Sequence, residues 1–165
     1  MIKLLFIMPL LLFIISCSER EVDENRIQYI DDVGYVLNED KPYSGQVSSF
    51  HPNGKLDSEA TFINGKRNGP VRVWHENGQL ESEATFVKGK PEGLIRSWYA
   101  NGQLESEATN AKGEPDGLVR LWHENGQLES EATYTSGKLD GLFRRWYENG
   151  QLEVEVTFAN GKRVE

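Results

Sequence analysis

A single cysteine, Cys17, stands in the 165 residues, so the chain can form no intramolecular disulfide. Positive charge is also scarce. Eighteen Lys and Arg face 26 Asp and Glu, for a formal net charge of −8. A chain of that sign is repelled by phosphate backbones, and no basic run along the sequence offsets the repulsion, which argues against nucleic acid as a partner. No segment sustains a helical apolar period long enough for an independent helix. Long hydrophobic runs are missing too, apart from Leu4 to Ile15, which Pro9 interrupts. That run is shorter than the roughly 20 apolar residues that span a bilayer.

With Lys3 ahead of it and Ser18-Glu19-Arg20-Glu21 closing it, the run fits a secretory leader. Ile14-Ile15-Ser16-Cys17 resembles the bacterial lipobox. That resemblance implies cleavage after Ser16, a diacylglycerol thioether on Cys17 and acylation of the new terminus. Acyl chains contribute about 0.8 kcal/mol per buried methylene, and two or more hold a protein stably on a membrane. Ser18 after the cysteine implies, by the same resemblance, the outer membrane where a cell has two. Residues 1–16 are therefore expected to be a lipoprotein signal peptide, and 17–26 the acylated cysteine with a flexible, charged tether, SEREVDENR. The expected location is the bacterial cell envelope, facing the periplasm or the surface.

Behind this leader the chain is periodic. Trp74, Trp98, Trp122 and Trp146 stand 24 residues apart, with Phe50 one period earlier. Gly45, Gly69, Gly93, Gly117 and Gly141 precede those aromatics by five residues, and Gly54, Gly78, Gly102, Gly126 and Gly150 follow them by four. A fixed period of this length marks a stacked array. Five units result: 45–68, 69–92, 93–116, 117–140 and 141–164. Residues 27–44, IQYIDDVGYVLNEDKPYS, read as a degenerate capping unit.

Within a unit, two runs of about seven residues flank Asn-Gly, the strongest short hairpin signal. The fold expected is all-β: an elongated, single-layer antiparallel meander of stacked hairpins without a deep core. Ten repeat strands at about 4.8 Å each extend on the order of 48 Å. Two registers are open. A two-residue turn at Asn125-Gly126 sets His123 against Leu128, Trp122 against Glu129, Arg120 against Glu131, Val119 against Ala132 and Gly117 against Tyr134. A three-residue loop with a glycine bulge sets Trp122 against Leu128 and turns the Arg from the Glu. The first is favoured, because it forms Arg72/Glu83, Arg96/Glu107, Arg120/Glu131 and Arg144/Glu155, each contributing roughly 0.2–1 kcal/mol.

The pattern G-x-x-x-x-[WY]-[HY]-x-N-G-Q-L-x-x-E…G-K-x-x-G, with Lys41-Pro42-Tyr43-Ser44-Gly45 at its head, resembles the MORN-repeat variant of the bacterial YwqK-like antitoxin family, here in lipoprotein form. It covers roughly residues 43 to 164. The resemblance implies protein–protein or membrane-surface contact, and an antitoxin or immunity role that blocks a partner toxin is the alternative it carries. A lipoprotein leader departs from a cytoplasmic antitoxin.

Catalysis finds no footing in the residues, and the chain is not expected to be an enzyme. His51, His75 and His123 share one repeat position with Tyr99 and Tyr147. Copies two strands apart, about 10 Å, cannot converge on one ion, so no metal is expected. The acid rows Glu81/Glu83, Glu105/Glu107, Glu129/Glu131 and Glu153/Glu155, with Asp57/Glu59, are alike in every unit. Glycoside hydrolysis needs one differentiated pair across a cleft, which repetition does not supply. Ser58, Ser82, Ser106 and Ser130 lack a histidine suited as base. No cofactor is implied. The row Phe50, Trp74, Trp98, Trp122 and Trp146 is the candidate interaction surface, with sheet packing as its competing role. A protein partner is expected, beside the membrane reached through the lipid on Cys17. A glycan partner has no support in these residues. The module is thus read as a membrane-anchored interaction or structural lipoprotein.

Overall fold

The computed structural model describes residues 20–164, and the leader, Ser16 and Cys17 lie outside them. Strand β1 (Glu21–Asp23) and a 3-10 turn (Glu24–Arg26) lead into a hairpin of β2 (Ile27–Ile30) and β3 (Val33–Val36). The array follows as β4 (Gly45–Phe50), β5 (Leu56–Ile63), β6 (Lys66–Trp74), β7 (Leu80–Val87), β8 (Lys90–Trp98) and β9 (Leu104–Ala111). It continues through β10 (Glu114–Trp122), β11 (Leu128–Thr135), β12 (Lys138–Trp146), β13 (Leu152–Ala159) and the short β14 (Lys162–Arg163). Twelve strands form one sheet in the order β1-β4-β5 and onward to β14, while β2 and β3 make a sheet of two. The fold is all-β and meandering, as the repeats predict.

Two kinds of turn close the hairpins. Between units, Asn64-Gly65, Lys88-Gly89, Lys112-Gly113, Ser136-Gly137 and Asn160-Gly161 all have positive φ at both residues. This is the type I′ geometry, whose twist matches the flanking strands. Inside units, only the glycine of each Asn-Gly pair is left-handed, as Gly126 is at φ 83°. There the Gly126 N–H donates to the His123 carbonyl and the His123 N–H to that of Gln127. The loop is therefore three residues long and ends in a glycine bulge.

That geometry corrects the favoured two-residue turn. Trp122 lies opposite Leu128, not Glu129, and His123 is not opposite Leu128. A second irregularity then makes Glu129 an extra residue on β11, since Leu121 lies opposite Ser130. It restores every pairing beyond it: Arg120 with Glu131, Val119 with Ala132 and Gly117 with Tyr134. The same shift recurs in each unit, between Ser49 and Phe50, Val73 and Trp74, Ser97 and Trp98, and Arg145 and Trp146.

The sheet consequently carries two different rows on its two faces. On one, Glu59, Arg72, Glu83, Arg96, Glu107, Arg120, Glu131, Arg144 and Glu155 are successive cross-strand partners from β5 to β13. On the other, β-branched or aromatic residues alternate with alanine, as in Ile95, Ala108, Val119, Ala132 and Phe143. Large-against-small alternation lets adjacent strands fill one surface without clash.

The N-terminal end adds a strand and a separate hairpin to the array. Residues 20–26 are not a loose linker from Arg20 onward. β1 pairs in parallel with the outer edge of β4, and Val22 is buried with Val36, Tyr43, Val47, Ala60 and Phe62. Burying that valine and pairing its backbone outweigh the charge of the surrounding residues. Within residues 27–44, β2 and β3 form a sheet of their own. This hairpin is fixed at the first type I′ turn, where the Gly34 N–H donates to the Gly65 carbonyl at 2.7 Å. The Gly65 N–H donates in turn to the Tyr43 carbonyl. A side chain on Gly65 would run into Val33 and the Gly34 backbone.

Candidate functional site

Each aromatic of the row closes a long strand, and each faces a leucine: Phe50 with Leu56, Trp74 with Leu80, Trp98 with Leu104, Trp122 with Leu128 and Trp146 with Leu152. The glycine-bulged loop is what sets this pairing. Period-two geometry puts each Trp on the face of the Arg two residues before it. The four tryptophans are half-buried, whereas Phe50 at the head of the row is 55% exposed. The row thus serves packing and remains partly open along its length.

Between successive units the row forms notches. One, of about 300 Å³, is walled by Gln79 and Leu80 of one unit and by Trp98 and Gly102 of the next. Another, of about 460 Å³, places Gln127, Leu128, Trp146, Asn149 and Gly150 at the corresponding positions two units on. Each offers an indole, a leucine and an amide, a combination suited to burying an apolar side chain while hydrogen-bonding its backbone.

What holds the Trp strands in place is a second row. The His51, His75 and His123 Nε2 atoms lie 2.6, 2.8 and 3.0 Å from the carbonyl oxygens of Trp74, Trp98 and Trp146. A carbonyl only accepts, so in each ring Nε2 carries the proton and donates. Tyr99 does the same through its hydroxyl, 2.7 Å from the Trp122 carbonyl. This explains the His/Tyr interchange: either side chain carries a donor tip to the same acceptor. Burial, followed by the charges of Glu105, Glu129 and Glu124, raises the Tyr99 phenol above its ordinary pKa.

A third row runs through the loops. The Asn101 Oδ1 accepts the Gln103 N–H at 2.8 Å, and its Nδ2 donates to the Glu124 carbonyl of the next unit at 3.2 Å. Asn53, Asn77 and Asn125 reach Glu76, Ala100 and Glu148 in the same manner. Asparagine therefore does two jobs at once, turn acceptor and inter-unit donor. Sequence reasoning assigned Asn-Gly to the turn alone. The recurrence of Asn where Asp would also suit a turn was the available signal.

The charge row is tightly engaged. Arg96 Nε lies 2.9 Å from Glu107 and its Nη1 3.9 Å from Glu83. Arg144 bridges Glu131 at 3.2 Å and Glu155 at 2.7 Å, and the hydrogen bond to Glu155 is the first cause of its raised pKa. Arg72 with Glu83 and Arg120 with Glu131 stand at 4.0 and 3.5 Å. All four expected pairs form. The neighbouring acids Asp57 and Glu105 accept from the hydroxyls of Ser49 and Ser97 at 3.0 and 2.9 Å. Glu153 accepts from Arg145. Chemically these carboxylates are ladder members with fixed partners, and the serines belong to the same ladder.

Compared with known proteins, the chain matches the MORN repeat variant family at five segments: 43–64, 67–88, 91–109, 115–136 and 139–160. These cover more than half of its length and follow the structural units with the frame advanced by a few residues. No curated protein matches it.

Proposed function

We propose that this chain, which belongs to the MORN repeat variant family, is a lipid-anchored interaction module of the bacterial envelope. The repeated notch is the observation that carries the reading. An indole flanked by leucine and amide occurs at two places, two units apart, along one border of the sheet, so a partner is offered the same contact twice. Repeated weak contacts on one partner raise avidity without any single deep pocket. A protein partner suits this surface, because aromatic rings and amides together meet side chains and backbone.

Anchoring follows from the leader. Arg20 is three residues past Cys17 and already belongs to the folded part, where its carbonyl accepts from the Gln46 N–H at 2.8 Å. Three extended residues reach about 10 Å. An acyl group on Cys17 would therefore hold the β1 end beside the membrane, with later units progressively farther from the anchor point. The module is read as non-catalytic, in keeping with acids that are shared out among Arg and Ser partners throughout the array.

Two experiments test this. Cys17→Ala is expected to move the protein from the membrane to the soluble fraction; retention on membranes would refute the lipid anchor. Crosslinking in intact cells is expected to recover a protein partner, and Trp98→Ala with Trp122→Ala to weaken its capture. Undiminished capture by a folded double variant would assign the row to packing alone.

A further inference from the structure

Position 67 is Arg, whereas the equivalent positions in the next three units are Pro91, Pro115 and Leu139; Arg returns only at 163, exposed on the edge strand β14. That slot faces an aromatic across the strand in four units, as Phe62 with Arg67, Phe86 with Pro91, Tyr134 with Leu139 and Phe158 with Arg163, and Asn110 in the unit of Pro115. Inside the sheet, a charged guanidinium thus occupies a position that apolar residues fill in the three units that follow. It stands 5.8 Å over the Phe86 ring, its one side-chain partner among the described residues. Its Nε is sealed from solvent and has no hydrogen-bond acceptor. An unmet buried donor costs about 1–3 kcal/mol, more when charged.

Beside it opens a cleft of about 470 Å³, between the β2–β3 hairpin and the first two type I′ turns. Lys66, Lys88 and Lys90 line it together with Arg67. The two turns are brought side by side by the Gly89 N–H, which donates to the Arg67 carbonyl at 2.8 Å. The third turn, Lys112-Gly113-Glu114, has an acid where the first two have Lys66 and Lys90, so the positive cluster does not continue into it. Tyr29, Phe62 and Phe86 supply apolar walls. Glu24 and Asp32 also border the cleft, and four cations against two carboxylates leave a surplus of two. In a chain of net charge −8 this is a local reversal of sign.

We propose that this cleft binds a phosphate monoester, with Arg67 as its principal ligand. A monoester carries about −1.5 to −2 near pH 7, which matches the surplus. The planar guanidinium presents paired donors to phosphate oxygens, and the lysines add point charge around them. The aromatic walls take the organic body of the ester. The cap hairpin gives the site its far wall, which is why the other units have no counterpart to it.

The test follows the Arg Nε–H resonance of the full chain in neutral detergent. Phenyl phosphate is expected to shift the Arg67 signal saturably, inorganic phosphate to do so more weakly, and benzoate least. Arg67→Gln, and separately Lys88→Gln with Lys90→Gln on the exposed turn, are each expected to weaken phenyl phosphate about tenfold or more. The lysine variant keeps the test valid should the arginine variant not fold. Micelles doped with phosphatidic acid separate the sources of the ester. Tighter binding there than to phenyl phosphate assigns a lipid headgroup, and the reverse a soluble ester; both uphold the site. No saturable shift with any phosphate, undiminished binding by the folded variants, or benzoate binding as tight as phenyl phosphate would overturn the proposal.

Discussion

The Nε2 of His75 lies 2.8 Å from the carbonyl oxygen of Trp98, 23 residues further along the chain. The bond spans from one loop to the end of a strand in the next unit, so it ties neighbours that the backbone ladder alone would leave hinged at a single strand pair. His75→Ala is expected to lower stability by about 1 kcal/mol, the net value of one such bond. His75→Tyr, which copies the side chain at Tyr99, is expected to stay within about 0.5 kcal/mol of the parent. Urea unfolding midpoints of the two variants decide this, and equal losses would remove the carbonyl contact as the reason for the interchange.

Asn101 gives a sharper contrast, because Asp preserves one of its two roles. Asn101→Asp keeps an acceptor for the Gln103 N–H and sets a carboxylate against the Glu124 carbonyl in place of a donor. The expected loss is about 1–2 kcal/mol at neutral pH. It should shrink at low pH, where the acid is protonated and can donate. A variant as stable as the parent at pH 7 would show that the inter-unit bond contributes nothing.

Gly65 and Gly161 occupy the same turn position with φ of 74° and 79°. A methyl group at Gly161 meets nothing within 4 Å, whereas at Gly65 it meets Val33 and the Gly34 backbone. Gly161→Ala is expected to cost about 1–2 kcal/mol from the left-handed backbone alone. Gly65→Ala should cost clearly more and strip hydrogen-exchange protection from the Gly34 and Tyr43 amides. Similar losses at both sites would mean that the hairpin is not fixed through this turn.

The Tyr43 hydroxyl lies 2.6 Å from the Arg20 carbonyl and 2.7 Å from that of Gln46, and donates its one proton between them. Burial is the main cause that raises its pKa; Arg20 opposes the rise, and Glu21 and Glu39 add to it. A phenol raised in the folded state binds its proton more tightly there than in the unfolded chain. Its stabilisation is complete below the unfolded value, about 10, and is lost as pH climbs through the folded one. Exchange at the β1–β4 end should therefore accelerate above pH about 10. In Tyr43→Phe this part of the pH dependence should vanish.

Much of the array was legible because its signals repeat. Glycine and tryptophan spacings gave the units, and the Arg/Glu pairs gave the strand register, since charges opposed in four hairpins constrain it tightly. The turn was not legible for a definite reason. A three-residue loop followed by one extra residue, Glu129, leaves Arg120 facing Glu131 just as a two-residue loop would. Only Trp122 and Leu128, between the two irregularities, tell them apart. β1 was hidden because three residues, Glu21-Val22-Asp23, carry no period. Their place depends on Val47 and Tyr43, distant in sequence. The aromatic row could be named from spacing alone, but its half-buried state depends on the leucines opposite it. Arg67 was visible as a departure from the repeat only once the apolar role of its slot was known.

The inter-unit bonds have a consequence for how such a chain can change length. Side chains join residues 23 apart on the loop side, and backbone N–H groups join side chains 20 apart on the other, as in Lys88 to Asn68 and Lys112 to Glu92. Removing residues 93–116 as a block would rejoin groups of the same kind on both borders, while removing a few residues fewer would mismatch them all. Growth and shrinkage of this protein are thereby restricted to whole units, and the span it reaches is a matter of integer counting.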